Sequence, residues 1–171
     1  MQNFMQDVLS KLGENKLQEM AHMIVDTSPL GITGSHKLRA LLWLCDKAMY
    51  LQRGKTISDK IYIKGSLGPE LRDSRAYTLN ASPNKPFVKR APRLFLGEEA
   101  EYISLRTPIF MSLSPEEREV IKNTVEQYVS AELVDVLAAA RGHAWEITEW
   151  GKPILMHAVL ADKARDLTPE D

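Results

Sequence analysis

The sequence predicts a predominantly α-helical α+β fold, a compact helical domain with a small antiparallel β element. Residues 16–26, 36–53 and 115–140 carry apolar side chains at three- and four-residue spacing, which is typical of amphipathic helices. Short runs of β-branched and aromatic residues, such as Ile61–Ile63, lie between these stretches and favour strands. The long helices and the short strands together indicate this fold class.

The chain has 171 residues, and no repeat, low-complexity region or linker divides it. We therefore expect one domain over residues 1–171. Residues 1–13 are interpreted as an N-terminal extension. Residues 164–171 are interpreted as a frayed acidic tail, because chain ends are poorly held unless they are tied down.

The N-terminal half begins with a helix over residues 16–26, and Ser35 is a plausible N-cap for the long helix that Gly54 ends. Gly68-Pro69 predicts the start of a further helix over residues 69–79, because proline is favoured in a first helical turn. The apolar face of the long helix comprises Leu38, Leu41, Leu42, Cys45, Ala48 and Met49.

In the C-terminal half, Phe87-Val88 is expected to be extended, and residues 94–96 and 102–105 are predicted strands that pair with Ile61–Ile63. Ser114-Pro115-Glu116-Glu117 predicts a capping box, in which Ser114 and Glu117 satisfy each other's backbone N–H groups. A second helix is predicted over residues 130–140, ended by Gly142, and a last one over 152–163. Trp145 and Trp150 flank a turn and are interpreted as residues that pack in the core or fasten the tail.

The composition is that of an ordinary soluble globular protein, with 44% hydrophobic and 26% charged residues and a net charge of -1. A non-specific nucleic-acid binder would carry a basic excess. Cys45 is the only cysteine, so no disulfide forms within the chain, and we expect it to be buried. The N-terminus lacks a signal-peptide hydrophobic region, and no apolar run approaches the roughly 20 residues of a membrane span. These features predict a cytoplasmic protein without a membrane partner.

No pattern of residues in the sequence indicates an enzyme. The four histidines, His22, His36, His143 and His157, form no pair at metal-ligand spacing, and no second cysteine supports a zinc site. The sequence also lacks a phosphate-binding loop and a nucleophile elbow. We therefore predict no metal, no cofactor and no catalytic residue, and interpret Asp46 and Lys47 as a charge pair on a helix surface.

Two groups of residues are candidate partner contacts. Residues 85–93 are basic without an acid, and three nearby prolines limit their conformational freedom. They are either a solvated loop or a docking loop for an acidic or nucleotide-binding surface. One side of the long helix presents Asp46, Tyr50 and Arg53, and tyrosine and arginine are typical binding anchors, although a buried second layer explains Tyr50 equally well. The candidate contact residues are Asp46, Tyr50, Arg53, Lys85, Phe87, Lys89, Arg90 and Arg93.

The order of several short motifs resembles a known family. Leu41–Asp46 (LLWLCD), Gly54–Ser58 (GKTIS) and Gly68-Pro69 follow one another as in the core of the Panacea, or SocA-like, antitoxin domain. The similarity continues through residues 113–119, 130–133, 143–145 and 151–154, and so covers roughly residues 16–155. The sequence departs from the family pattern at Leu67, Glu70 and His143.

The resemblance implies a non-enzymatic antitoxin of a bacterial or phage type II toxin–antitoxin system, with a role in phage defence. Such a protein neutralises a cognate toxin, encoded by the adjacent gene, by direct protein–protein binding, and forms a homo-oligomer or a toxin–antitoxin hetero-oligomer. One alternative is a proteolytic adaptor that delivers its bound toxin to an ATP-dependent protease. A second alternative is a DNA-binding autoregulator that uses residues 85–93 as its basic contact.

Overall fold

The computed structural model describes residues 16–73, 87–90 and 100–166. It confirms the predominantly helical α+β fold. The helices are α1 (residues 16–27), α2 (Ser35–Arg53), α3 (Pro115–Tyr128), α4 (Leu133–Ala140), α5 (His143–Glu146) and α6 (Val159–Asp166), with short 3-10 turns at Pro29–Gly31 and Met156–Ala158. The strands are β1 (Ile32–Gly34), β2 (Tyr62–Lys64), β3 (Pro69–Leu71), β4 (Phe87–Arg90) and β5 (Glu101–Ser104).

Helix α2 forms the centre of the core and packs against α3, α4 and β3. Its predicted apolar face is confirmed, and Cys45 is fully buried within it. Gly54 ends the helix in the left-handed conformation at φ 69°, a conformation that glycine adopts without a steric penalty. The predicted cap at Ser35 is wrong, because the helix already begins at Ser35 and its Nα–H donates to the carbonyl of Ala100.

The first helix is also confirmed. Its predicted apolar residues, Leu17, Met20, Ala21, Ile24 and Val25, are all fully buried in the same core as the α2 face. The predicted N-terminal extension, residues 1–13, lies outside the described residues. The two faces whose periodicity the sequence displays most clearly thus contribute a large part of the core.

The strands exist where Ile61–Ile63, Phe87-Val88 and residues 102–105 predicted them, but their pairing differs from the prediction. Strand β5 pairs antiparallel with β1 and β4 in a three-stranded sheet of order β1-β5-β4. Strand β2 pairs with β3 in a separate hairpin, where Ile63 lies opposite Glu70. Residues 94–96 lie outside the described part of the chain.

The helix predicted to start at Pro69 is wrong. The Gly65 N–H donates to the Gly68 carbonyl at 3.1 Å and closes a tight hairpin, so Pro69–Leu71 continues as strand β3. The signal was misread because proline also fits a strand end, where its missing N–H leaves no ladder bond unmade.

The C-terminal half follows the sequence closely at α3 and less closely after it. The capping box is confirmed: Ser114 Oγ accepts from the Glu117 N–H, and Glu117 Oε2 accepts from the Ser114 N–H at 2.9 Å. The predicted second helix appears as α4. The last helix starts at Val159 rather than Lys152, because residues 151–154 bond to β2 instead. It then continues to Asp166, inside the segment interpreted as a tail.

Candidate functional site

Asp46 is a buried hydrogen-bond acceptor, and its placement on an outward helix face is wrong. Its side chain is fully buried, and Oδ1 accepts from the backbone N–H groups of Ile57 at 2.7 Å and Ser58 at 2.9 Å. Oδ2 accepts from the Ser58 hydroxyl at 2.5 Å and the Tyr62 hydroxyl at 2.7 Å. These four bonds fasten the segment after α2 onto the helix.

Burial sets the titration behaviour of this group. Desolvation raises the pKa of Asp46 above its ordinary value, although the bonds from Ser58, Tyr62 and Ile57 oppose that change. Burial also raises the pKa of Tyr62, and the neighbouring Asp46 carboxyl adds to the rise. The predicted surface pair of Asp46 with Lys47 is absent, because Lys47 Nζ instead lies 2.8 Å from Asp162 Oδ2 on α6.

Strand β2 joins several parts of the chain that are distant in sequence. The Ile154 N–H donates to the Tyr62 carbonyl at 2.8 Å, and Lys64 exchanges backbone bonds of 3.0 Å with Lys152 and Gly151. Residues 151–154 thus act as an added strand on β2. We call the assembly of Asp46, Ile57, Ser58, β2 and residues 151–154 the β2 hub.

Lys64 extends from the hub into a pair of tryptophan rings. Its ammonium lies 4.3 Å from the ring centre of Trp145 and 4.9 Å from that of Trp150, and it donates to the Glu146 carbonyl at 3.1 Å. The two rings meet edge to face with centres 5.7 Å apart. This arrangement satisfies a buried cation with aromatic faces, which attract positive charge, and it fixes the orientation of both rings.

Beside the tryptophans the molecule leaves large apolar side chains exposed. Ile147 is 60% exposed, Trp150 64% and Leu155 57%. We call these three residues the C-terminal apolar face. Ile147 and Leu155 line a groove of about 270 Å³, whose other walls are Thr148, Glu149, Lys152, Pro153, His157 and Ala158. Concentrated apolar exposure of this kind is characteristic of protein–protein contact sites.

The predicted contact residues do not form one surface. Tyr50 is half-buried, and Arg53 is exposed in the last turn of α2, where it forms an ion pair with Glu116. Strand β4, which carries Phe87, Lys89 and Arg90, belongs to the sheet that β1 joins to the other end of α2. The helix has 19 residues and is about 28 Å long. Lys85 and Arg93 lie outside the described residues.

The sequence reasoning missed Lys64 and assigned Trp150 to a core or fastening role. Trp150 does stack on Trp145, but most of its surface is exposed. In β2 the buried positions are Tyr62 and Lys64, whereas Ile61 is half exposed. Isoleucine would usually be buried in preference to tyrosine and lysine. Here the Asp46 carboxyl binds the Tyr62 hydroxyl, and the two tryptophan rings hold the Lys64 ammonium, so these two side chains are buried instead. The one sequence signal that could have indicated the site around Lys64 is the presence of two tryptophans, Trp145 and Trp150, within six residues.

One cluster has the composition of a catalytic triad but not its geometry. His22 Nε2 lies 3.1 Å from Ser104 Oγ and 3.0 Å from the Arg106 carbonyl oxygen, and the Ser104 hydroxyl donates to Asp26 at 2.9 Å. A nitrogen that donates to a carbonyl cannot accept the serine proton, so the cluster does not pair a nucleophile with a base. It fastens α1 to β5 instead. Within the described residues, no three His, Cys, Asp or Glu side chains are grouped to hold a metal.

Comparison with known proteins gave no match: no family model, no curated protein and no solved structure is significantly similar to this chain. In residues 16–73 and 100–166, no helix has both the length and the apolar character needed to cross a membrane.

Proposed function

We propose that this chain is the antitoxin of a type II toxin–antitoxin pair, as its resemblance to Panacea-domain proteins implies, and that it neutralises a protein toxin by direct binding. One observation carries the proposal. Three of the motif segments that make up the resemblance meet in the β2 hub, where two bond directly to each other and the third bonds to β2 beside them. Asp46 of the first motif accepts from Ile57 and Ser58 of the second, and Ile154 of the last bonds to β2.

This convergence gives the motifs a common physical cause. A buried carboxyl group needs donors that satisfy it, so Asp46 and the Ile57-Ser58 backbone must occur together. Residues 151–154 pair with β2, and the Tyr62 hydroxyl of that strand donates to the same carboxyl group. Three of the matched segments thus take part in one bonded arrangement. The likeness therefore has the character of a shared scaffold, which supports the family resemblance and the binding role that it implies.

The toxin contact that fits best is strand β4 of the three-stranded sheet. Among the described residues β4 bonds on one side only, to β5, and its sequence carries Lys89 and Arg90. The chain beyond β5 adds Arg106 and Leu105, both exposed. Edge strands readily pair with other chains, and this one is basic. The expected partner surface is therefore acidic, with an extended segment or a loop that can lie along β4.

The direct test is co-expression with the product of the adjacent gene. The product alone should arrest growth, and this chain should restore growth and co-purify with the product. A harmless product, or a toxin that remains active in the presence of this chain, contradicts the proposal. The half-life of the toxin is measured in the same cells, because a strongly shortened half-life would indicate delivery to a protease instead of direct neutralisation.

The contact surface is tested by charge reversal. The double variant Lys89→Glu and Arg90→Glu should abolish rescue and co-purification while the circular dichroism spectrum stays unchanged. The matched control, Lys55→Glu with Lys122→Glu, makes the same change in net charge at two exposed positions outside the sheet, one just after α2 and one within α3. Loss of rescue in the control alone would overturn the β4 surface and place the contact near Tyr50 and Arg53.

A further inference from the structure

We propose that the C-terminal apolar face, Ile147, Trp150 and Leu155, binds the same face of a second copy of this chain about a two-fold axis. This self-association is a function beyond toxin binding, and it uses none of the residues of β4. Three features of the face favour a second copy over other partners: its shape, its charges and its rigidity.

The face carries a projection and a recess side by side. Trp150 is 64% exposed at the tip of its turn, and the adjacent groove of about 270 Å³ is large enough to receive an indole ring. In a two-fold dimer every contact occurs twice, because each copy presents the same patch to the other. Such an interface requires a patch that complements itself. Here Trp150 of each copy can enter the groove of the other, against Ile147 and Leu155.

The charges beside the groove are also self-complementary. Glu149 and Lys152 both line it, both are exposed, and neither forms an ion pair within the described chain. A two-fold axis between them places Glu149 of one copy near Lys152 of the other, and the reverse. A partner with a single sign of charge would be repelled by one of the two groups. A second copy satisfies both.

The face is rigid before it binds. The edge-to-face contact with Trp145 and the Lys64 ammonium hold the Trp150 ring, and the bonds from β2 hold residues 151–154. Ordering a side chain at an interface costs about 0.5–1.5 kcal/mol, a cost that a fixed tryptophan largely avoids. Tryptophan is also among the residues that dominate interface energies. A face held in this way is suited to contact without rearrangement.

The first test measures association of the purified full-length chain by sedimentation velocity from low to high micromolar concentration. The expected result is a reversible monomer–dimer equilibrium. Trp150→Ala should weaken it by about 30-fold or more, as expected for a central aromatic contact. Met111→Ala is the matched control, because Met111 is a 90% exposed apolar residue outside this face, and it should leave the equilibrium unchanged.

The second test exchanges the two charges between copies. Lys152→Glu and Glu149→Lys should each be monomeric, because each variant places like charges across the axis. An equimolar mixture of the two should form a heterodimer, in which both cross-axis pairs are again opposite. A chain that stays monomeric at every concentration overturns the proposal, as does a mixture that fails to associate when the unaltered chain does.

The two proposals fail separately. If Trp150→Ala abolishes toxin co-purification while the unaltered chain is monomeric, the face belongs to the toxin and self-association is wrong. If the dimer forms and the adjacent gene product is harmless, the antitoxin proposal fails and the dimer stands.

Discussion

The β2 hub and the C-terminal apolar face meet where Lys64 of β2 contacts the Trp150 ring, yet they follow opposite rules. In the hub a charged residue is buried and satisfied: Asp46 is inaccessible and accepts four hydrogen bonds. In the face, apolar residues that would normally be buried remain in solvent. Parts of three motif segments, namely Asp46, Ile57-Ser58 and residues 151–154, lie in the hub, and the exposed apolar surface lies beside it. A satisfied buried carboxyl group and an exposed apolar surface thus lie next to each other in this part of the molecule.

Of the changes that test this difference between hub and face, removal of the Asp46 carboxyl group is expected to lower the free energy of unfolding the most. Asp46→Ala leaves the donors of Ile57, Ser58 and Tyr62 without an acceptor inside the protein, and each buried unsatisfied group costs about 1–3 kcal/mol. We expect the free energy of unfolding to fall by about 3 kcal/mol or more, measured by urea denaturation. Asp135→Ala, at an exposed position, is the control and should lose less than about 1 kcal/mol. Equal small losses in both variants would show that the hub does not hold the fold.

Lys64 links the two regions, and its replacement should have the next largest effect. Lys64→Met keeps the buried methylenes but removes the ammonium from the two tryptophan rings and from the Glu146 carbonyl. Desolvated cation–π contacts are worth about 2 kcal/mol, so we expect a loss of that size in urea denaturation. Lys55→Met, an exposed lysine in the loop after α2, should be neutral. A neutral Lys64→Met would mean that the rings hold their positions without the cation.

The parts of the structure that could be predicted are those that follow a regular spacing or a local motif in the sequence. The faces of α1 and α2 and the Ser114 box follow from local spacing alone. The pairing of β5 with β1 and β4 could not be read in this way, because short strands carry no mark of their partner. The buried state of Asp46 was hidden for a related reason. Its donors come from residues 11 to 16 positions away, and the pattern of α2 gave no sign of them.

A smaller effect is expected from pH. The pKa of Asp46 is raised in the folded protein, so the native state holds this proton more tightly than the unfolded chain does. The contribution of Asp46 to stability is therefore fully present below its ordinary, unfolded pKa and is lost as pH rises through the raised folded pKa. The slope is at most about 1.4 kcal/mol per pH unit for one proton. The free energy of unfolding of the unaltered protein, measured relative to that of Asp46→Asn, should therefore fall as pH rises from the unfolded to the folded pKa of Asp46. The asparagine variant is the reference because its side chain cannot titrate. A difference that does not change with pH would contradict the raised pKa.

The smallest effect on stability should come from the C-terminal apolar face itself. Ile147→Ala removes a side chain that is 60% exposed. At chain concentrations well below the dissociation constant of the dimer, the free energy of unfolding should change by no more than about 0.5 kcal/mol. The same replacement at Ile121, which is fully buried in α3, should cost about 2–5 kcal/mol. At high concentration Ile147→Ala should become destabilising relative to the unaltered chain, because dimer formation stabilises only the folded state that it binds. Urea denaturation at two concentrations checks this. A loss at Ile147 that is large and independent of concentration would mean that the face supports the fold, and the distinction between hub and face would fail.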